Sequence, residues 1–515
     1  MKLGVTRSVG LVGLDGTIVE VEVALGSGLP RTVIVGLPDS ALNEARERCR
    51  AAIAHVGLTW PSQLVTISLS PAALPKSGSH YDLAIMAAVL TATGHVSPPA
   101  RLRGCVILGE LALDGRVRAV RGILPSVLAA QKAGCRHVIV PAAQVAEARL
   151  VSGIKVAGVA TLSELVAVLR GGVAALPTPA VVPDVVDPPS TPDLGDVAGQ
   201  VEARWAVEVA AAGGHHLYLH GPPGVGKTLL AERLPGLLPR LGQAESLEVS
   251  AIRSVCGLGL ESGLVTRAPY SAPHHSASVA ALVGGGSRVA SPGAVSLAHH
   301  GVLFLDEAPE FRPTALEALR TPLESGQVVL LRSQAQTTYP ARFQLVLAAN
   351  PCPCGMRESS GIECTCAPMA IRRYKERLSG PILDRVDISC HLKPMTQSYL
   401  RAARGAMEST RVVAERVLVA RERQRARLGG LPWPTNAAVP GPWLRRELPL
   451  PVGVEMLDTH VAKGLLSARG VDKVLRIAWT IADLAGADRP ARDHLLAALA
   501  MRRGEPDMEG VRGCA

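Results

Sequence analysis

The stretch that most limits what this chain can become is LYLHGPPGVGKT, residues 217–228. A short apolar run, Leu217–Leu219, leads into Gly221, Pro222, Pro223, Gly224, Val225 and Gly226, after which Lys227 and Thr228 open a helical pattern. Glycines let the backbone curl until successive N–H groups aim at one point, where the positive end of the following helix dipole adds to them. In such a loop the lysine reaches the outer phosphates and the hydroxyl ligates Mg2+. The whole pattern lies between a strand-like and a helix-like segment, so it reads as a phosphate-binding loop and not as a chance glycine turn. The starting expectation is a nucleoside triphosphatase.

A second motif agrees. In GVLFLDEAPEF, Gly301–Phe311, apolar Val302–Leu305 read as a buried parallel strand. Asp306 and Glu307 leave its carboxyl end, where open α/β sheets place ligands. Asp306 would hold the Mg2+ shell through water and Glu307 would polarise the attacking water. An exposed acidic pair of no consequence is the alternative, disfavoured by the neighbouring phosphate loop. FQLVLAAN, Phe343–Asn350, is a further buried strand ending in a polar amide.

At 515 residues the chain is too long for one core. No apolar run reaches the roughly 20 residues a bilayer needs, and Arg7 interrupts the place of a secretory core, so a cytoplasmic location is expected. The net charge is +10, and residues 371–427 hold fourteen Lys or Arg against six Asp or Glu. That concentration points to a polyanion, most economically nucleic acid, or else to a solvated helix face. Aromatic residues are 3% of the chain, so contacts to a nucleic-acid backbone would outweigh base stacking. Of ten cysteines, Cys352, Cys354, Cys364 and Cys366 form two C-x-C pairs. They are either a structural zinc site or free thiols, and the scattered remainder fits reduced thiols better than disulfides.

Residues 1–175 alternate strand and helix patterns, with strands over 16–24, 31–36 and 64–69 and a helix over 40–55. A loop opens into a helix over 70–90. A hairpin turns at Asp114-Gly115 within 104–122, and a helix over 123–133 and a strand over 137–140 close the unit. This half resembles the Lon-type protease domain, a ribosomal-protein-S5-like α/β fold. The resemblance lies in Lys76–Leu90 and in the hairpin, helix and strand ending at Pro141. The serine and lysine that Lon proteases need fall near His80 or Tyr81 and near Leu124; Ser77, Ser79 and Ser126 have no matching lysine. Without its base a serine is a weak nucleophile, so a non-proteolytic domain used for assembly or nucleic-acid contact is expected. Six prolines between Pro177 and Pro192 mark a semi-rigid linker over 176–192.

From Asp193 to about Leu499 the chain resembles the magnesium-chelatase-type AAA+ ATPases, and with the Lon-like domain in front it resembles their YifB/ComM group. The resemblance implies a P-loop AAA+ module with a parallel sheet over 193–394, a C-terminal helical lid over 395–503 and a tail over 504–515. It implies ATP and Mg2+, with Gly199 and Gln200 opening the helix beside the base. Asn350 would be the first sensor, and Arg385, in SGPILDRVDI, the finger reaching a neighbouring subunit's site. Arg469 would be the second sensor, with Arg476 the fallback. Two insertions, 251–297 and the hairpin 326–343 with Arg332 near its turn, point into the pore in relatives. His274 and His275 of the first are expected to pack or hydrogen-bond more readily than to ligate metal. The implied function is a hexameric ring motor on single-stranded or branched DNA, a helicase for branch migration in recombination or DNA uptake. The rival is a protein-remodelling ATPase acting on a partner subunit.

Overall fold

The computed structural model describes residues 2–36, 39–74, 76, 78–102, 104–172, 192–260, 262–286, 290–331, 336–358, 364–395 and 407–504. Most of the proline-rich linker, Arg332, Ser77 and the tail beyond Gly504 lie outside them.

The N-terminal sheet has seven strands: β1 (Lys2–Val12), β2 (Asp15–Gly26), β3 (Arg31–Val35), β4 (Leu64–Ser70), β5 (Val106–Ile107), β6 (His137–Pro141) and β7 (Lys155–Val159). Their order is β3-β4-β2-β1-β5-β6-β7. In β2 the alternation puts Val19, Val21 and Val23 inside with no exposure. Helix α1 (Ser40–His55) starts at Asp39, whose carboxylate accepts from Leu42 N at 2.8 Å. Helix α2 (Asp82–Thr93) is buried nearly all round and lies against β1 and β2. A Cβ on Gly4 of β1 would strike the Ala88 carbonyl of α2, so this close crossing requires glycine. Helix α3 (Ile123–Lys132) precedes β6, and α4 (Leu162–Leu169) follows β7.

Three differences from the sequence expectation stand out. β1 escapes the pattern because Gly4, Arg7, Ser8 and Gly10 break its alternation, although it is central in the sheet. β7 and α4 extend the unit beyond Pro141. The hairpin at Asp114-Gly115 is short, pairing only Glu110-Leu111 with Val117-Arg118, while Val106-Ile107 joins the main sheet.

The second sheet is parallel throughout: β8 (Leu217–His220), β9 (Tyr270-Ser271), β10 (Val302–Leu305), β13 (Gln344–Ala349) and β14 (Ile388–His391), ordered β9-β10-β13-β8-β14. Between β10 and β13 runs the antiparallel hairpin β11 (Gln327–Leu331) and β12 (Gln336–Pro340). Helices α5 (Val201–Gly213), α6 (Lys227–Leu237) and α7 (Gln243–Cys256) belong to this half. Residues 251–256, expected to open the first insertion, are the last turns of α7. Beyond the sheet come helices, chiefly α8 (Thr410–Arg427), α9 (Ala468–Leu484) and α10 (Arg492–Arg503). Val413, Val417 and Ala420 of α8 and Val474, Ile477 and Trp479 of α9 share one core with β8 and α6.

The two halves meet along α7. Ala251 and Leu260 join the core under β1, β5 and β6. Leu124 N, near which the resemblance puts a Lon protease's lysine, donates to Glu147 Oε1 at 3.0 Å and to Ser254 Oγ of α7 at 3.3 Å. Where the serine would stand, His80 Nε2 lies 2.9 Å from Val9 O and the Tyr81 side chain is buried.

Candidate functional site

Three adjacent strands end together. β8 runs into Gly221, β10 into Asp306 and β13 into Asn350, and the register pairs His220 with Ala349 and Leu305 with Leu347. Parallel strands in this register bring motifs 44 to 129 residues apart to one edge.

The loop around α6 has the features of a phosphate cradle. Gly224 and Gly226 hold φ of 78° and 97°, a left-handed backbone that favours glycine, and a Cβ at either would meet nothing within 4 Å. Gly221, at φ 154°, faces the Leu392 carbonyl too closely for any side chain. Lys227 is 8% exposed; its Nζ donates to Gly221 O, Pro222 O and Asn350 Oδ1 at 2.7, 2.8 and 3.0 Å. Burial pulls its ammonium below the ordinary value, against Asp306 and Glu307. Thr228 Oγ1 donates to Asp306 Oδ2 at 2.8 Å. A hydroxyl and a carboxylate this close, beside a glycine-rich loop that opens a helix, fit a Mg2+–nucleotide group.

Glu307 follows with φ 49° and ψ 43°, a left-handed conformation unusual for a non-glycine residue. Its N–H donates to Asp306 Oδ1 at 2.8 Å, and its Oε2 lies 3.1 Å from His275 Nδ1. His275, expected from the sequence to pack or hydrogen-bond, was not tied there to Glu307. Its only signal was a histidine pair inside a long insertion, and nothing local ties it to Glu307. On the other side, Gln200, also left-handed at φ 46°, opens α5 and donates its amide to Val225 O at 3.2 Å.

The arginines divide. Arg385 is folded onto its own chain, donating to Pro381 O at 2.7 Å and pairing with Glu324. Arg469 keeps 72% of its side chain exposed near the start of α9, 3.6 Å from Asp384 Oδ2. Arg476 is different: its Nε donates to Val439 O at 2.8 Å and burial lowers its pKa, which marks a packing role. Lys473 of α9 clamps the Arg385 segment, donating to Asp387 Oδ1 at 2.8 Å, Arg385 O at 2.6 Å and Val386 O at 3.1 Å. Burial would raise Asp387, but Lys473 and His215 hold its carboxyl well below the usual range.

The basic stretch is not one free surface. Arg416 joins Glu208 and Glu408 at 2.7 and 2.6 Å, Arg427 forks onto Asp483 at 2.6 and 2.7 Å, and Arg377 meets Glu310 at 2.8 Å. Arg421 donates to Ala211 O at 2.6 Å, and burial pulls it down to about 10. Much of that charge stitches α8 to its neighbours.

The four cysteines do converge. Cys352 Sγ stands 3.4 Å from Cys354 and 3.6 Å from Cys364, and all four sulfurs lie within 4.8 Å of one another. A tetrahedral Zn–S distance of about 2.3 Å requires sulfurs about 3.8 Å apart, so the donor set fits zinc. The loop leans on the phosphate loop: a Cβ at Gly355 would stand 2.9 Å from Pro223 Cδ. A second cluster, Glu248, His299 and His300, does not fit a metal as arranged. Arg342 N donates to His299 Nδ1 at 3.0 Å, so the ring proton sits on Nε2 and points to Glu248 at 2.8 Å. His274 turns aside, with Nδ1 2.8 Å from Ser276 Oγ.

Among the described residues no helix is long and apolar enough to cross a membrane. Three family descriptions match: "Subunit ChlI of Mg-chelatase" over residues 21–144, "Magnesium chelatase, subunit ChlI" over 193–400, and its C-terminal part over 407–502. The uncharacterised protein Rv2897c of Mycobacterium tuberculosis is 54% identical over 507 residues, 98% of this chain and 99% of its own. The uncharacterised protein YifB of Escherichia coli is 41% identical, covering 98% of this chain and 97% of its own. Competence protein ComM of Haemophilus influenzae is 39% identical, covering 98% of each. Lon protease 2 of Thermus thermophilus is 28% identical over 150 residues, 27% of this chain and 18% of its own. By likeness over nearly the full length, and with a phosphate loop at the edge of a parallel sheet, the chain belongs to the YifB/ComM family of magnesium-chelatase-like AAA+ ATPases.

Proposed function

We propose that the protein hydrolyses ATP to drive DNA strands, as a helicase for branch migration in recombination or DNA uptake, working in the cytoplasm as a ring of six subunits. The observation that carries the ATPase reading is the meeting of Lys227, Thr228, Asp306, Glu307 and Asn350 at one sheet edge. Residues 221–228 would hold the phosphates, with Lys227 exchanging its carbonyl partners for phosphate oxygens. Thr228 and Asp306 would hold Mg2+, which neutralises phosphate charge when bound. Glu307 would take the proton of the attacking water, and Asn350 would orient that water. Arg385 would reach a neighbouring subunit's site, which requires leaving Glu324, and Arg469 would be the second sensor. In this reading residues 1–175, 176–192, 193–394, 395–503 and 504–515 are Lon-like domain, linker, motor, lid and tail. The cysteine cluster would hold structural zinc and brace the loop after Asn350.

The DNA reading rests on the competence protein's likeness and on the hairpin beside the sensor strand. The rival, remodelling of a protein partner, gains from the match to a magnesium-chelatase subunit and from the internal pairing of the basic stretch. The test is ATPase activity with single-stranded and branched DNA over a salt series. Stimulation that falls steeply with salt is expected of phosphate contacts. An ATPase indifferent to every DNA structure would favour the rival.

A further inference from the structure

A cavity of about 880 Å3 lies at the end of the ATPase sheet remote from the phosphate loop. Its walls are the amino-terminal ends of β8, β10 and β13, the loop after α6, and α8. Four arginines line it from three elements: Arg240 in that loop, Arg342 at the entry to β13, and Arg421 and Arg425 of α8. Positions 421 and 425 stand one helical turn apart on one face, where like charges repel. Arg421 rests on one acceptor, the Ala211 carbonyl. Burial and the neighbouring Arg425 pull its guanidinium below the ordinary value, with Glu245 a weaker counterweight.

Three carboxylates also reach the lining, and each is held elsewhere. Glu245 Oε2 accepts from Gly242 N at 2.8 Å, Glu248 Oε2 faces Nε2 of His299 and of His300 at 2.8 and 3.1 Å, and Glu324 pairs with Arg385. Among the described residues no carboxylate forms an ion pair with Arg342, Arg421 or Arg425. Guanidiniums crowded around one space, one of them largely stripped of water, are costly unless an anion offsets them.

We propose that this cavity is a second anion site, separate from that of the nucleotide, and that it takes linked phosphate groups. Guanidinium forks match phosphate oxygens two at a time. Linked phosphates bring a charge on each group, which several arginines can meet and a lone carboxylate cannot. A free polyphosphate and a nucleic-acid backbone offer the same chemistry. The site stands independently of what the motor acts upon.

The experiment titrates full-length protein with tripolyphosphate and, separately, with a poly(dT) oligonucleotide, by calorimetry at fixed ionic strength. Lys227→Ala is the parent, so that the phosphate loop does not mask the cavity. It is compared with the same protein carrying Arg342→Gln and Arg425→Gln, and with one carrying Arg31→Gln and Arg136→Gln, exposed arginines of the N-terminal half that remove the same charge. Arg342 and Arg425 are themselves exposed, so the fold should survive their replacement, as thermal melts will check. Losing two charge-assisted bonds should weaken at least one probe about tenfold or more. The control pair should leave both probes within about twofold of the parent, since exposed distant charges are screened. Arg425→Gln alone should give a smaller loss with the same probe, which keeps the test if the double replacement is unstable. Weakened tripolyphosphate binding supports the site with a small polyphosphate as its ligand; weakened poly(dT) binding alone supports it with a nucleic-acid backbone. Affinities equal to the parent's for both probes overturn the inference, as does an equal loss in the charge control.

Discussion

Lys227 is bonded to three acceptors at once, two loop carbonyls and the Asn350 amide oxygen, so the phosphate loop and the sensor strand are already joined. Phosphate oxygens would replace neutral acceptors with charged ones, which strengthens each bond roughly twofold. Lys227→Ala should therefore abolish binding of a fluorescent ATP analogue while leaving the thermal transition within a few degrees of wild type. Retained binding would move phosphate recognition elsewhere. At this scale most of the site was legible. The glycine loop, Asp306-Glu307 and Asn350 announce themselves because each follows a short apolar strand, and that local pattern is written in consecutive residues. The contact of His275 with Glu307 was not legible, since it joins the loop after β9 to a residue 32 positions later at the end of β10.

Helix α9 shows why a charged residue can matter for packing more than for chemistry. Lys473 is 8% exposed and gives its three protons to Asp387 and to the carbonyls of Arg385 and Val386, fixing the segment proposed to carry the arginine finger. Removing it strands a buried carboxylate, which typically costs about 3–5 kcal/mol. Lys473→Met should lower the urea midpoint accordingly, and paired Lys473→Met, Asp387→Leu should recover part of the loss. A single variant as stable as wild type would show that the buried pair contributes nothing. The same helix separates Arg469 from Arg476: seven residues apart, one remains at the exposed first turn and the other is half-buried, donating to Val439 O. Helical periodicity alone placed both on one amphipathic helix and left them as alternatives.

Across the whole molecule, burial sets the response to acid. His80, His216 and His299 are each pulled down to about 4, chiefly by desolvation, from an ordinary value near 6.5. In the unfolded chain they take up protons below about pH 6.5, while in the native protein they do so only near 4, so the unfolded state binds more protons in this window. Their contribution to stability is present above about pH 6.5 and is lost as the pH falls toward 4. Thermal melts over that range should show a falling midpoint, flattened in the His299→Gln protein relative to wild type. A midpoint independent of pH would contradict this.

The Lon-like half and the ATPase half also meet in a way the sequence concealed: Leu124 N donates to Ser254 Oγ of α7 across the seam between them. The sequence by itself determined the phosphate loop and the strands that end beside it, because phosphate loops and apolar strands ending in carboxylates are short-range patterns fixed by backbone geometry. The tertiary structure decided how charge is spent. It turned much of a basic stretch into internal pairs, gathered four thiols around one point, and set His275 against Glu307. Those outcomes depend on which distant side chains share a low-dielectric neighbourhood, and no local period encodes that.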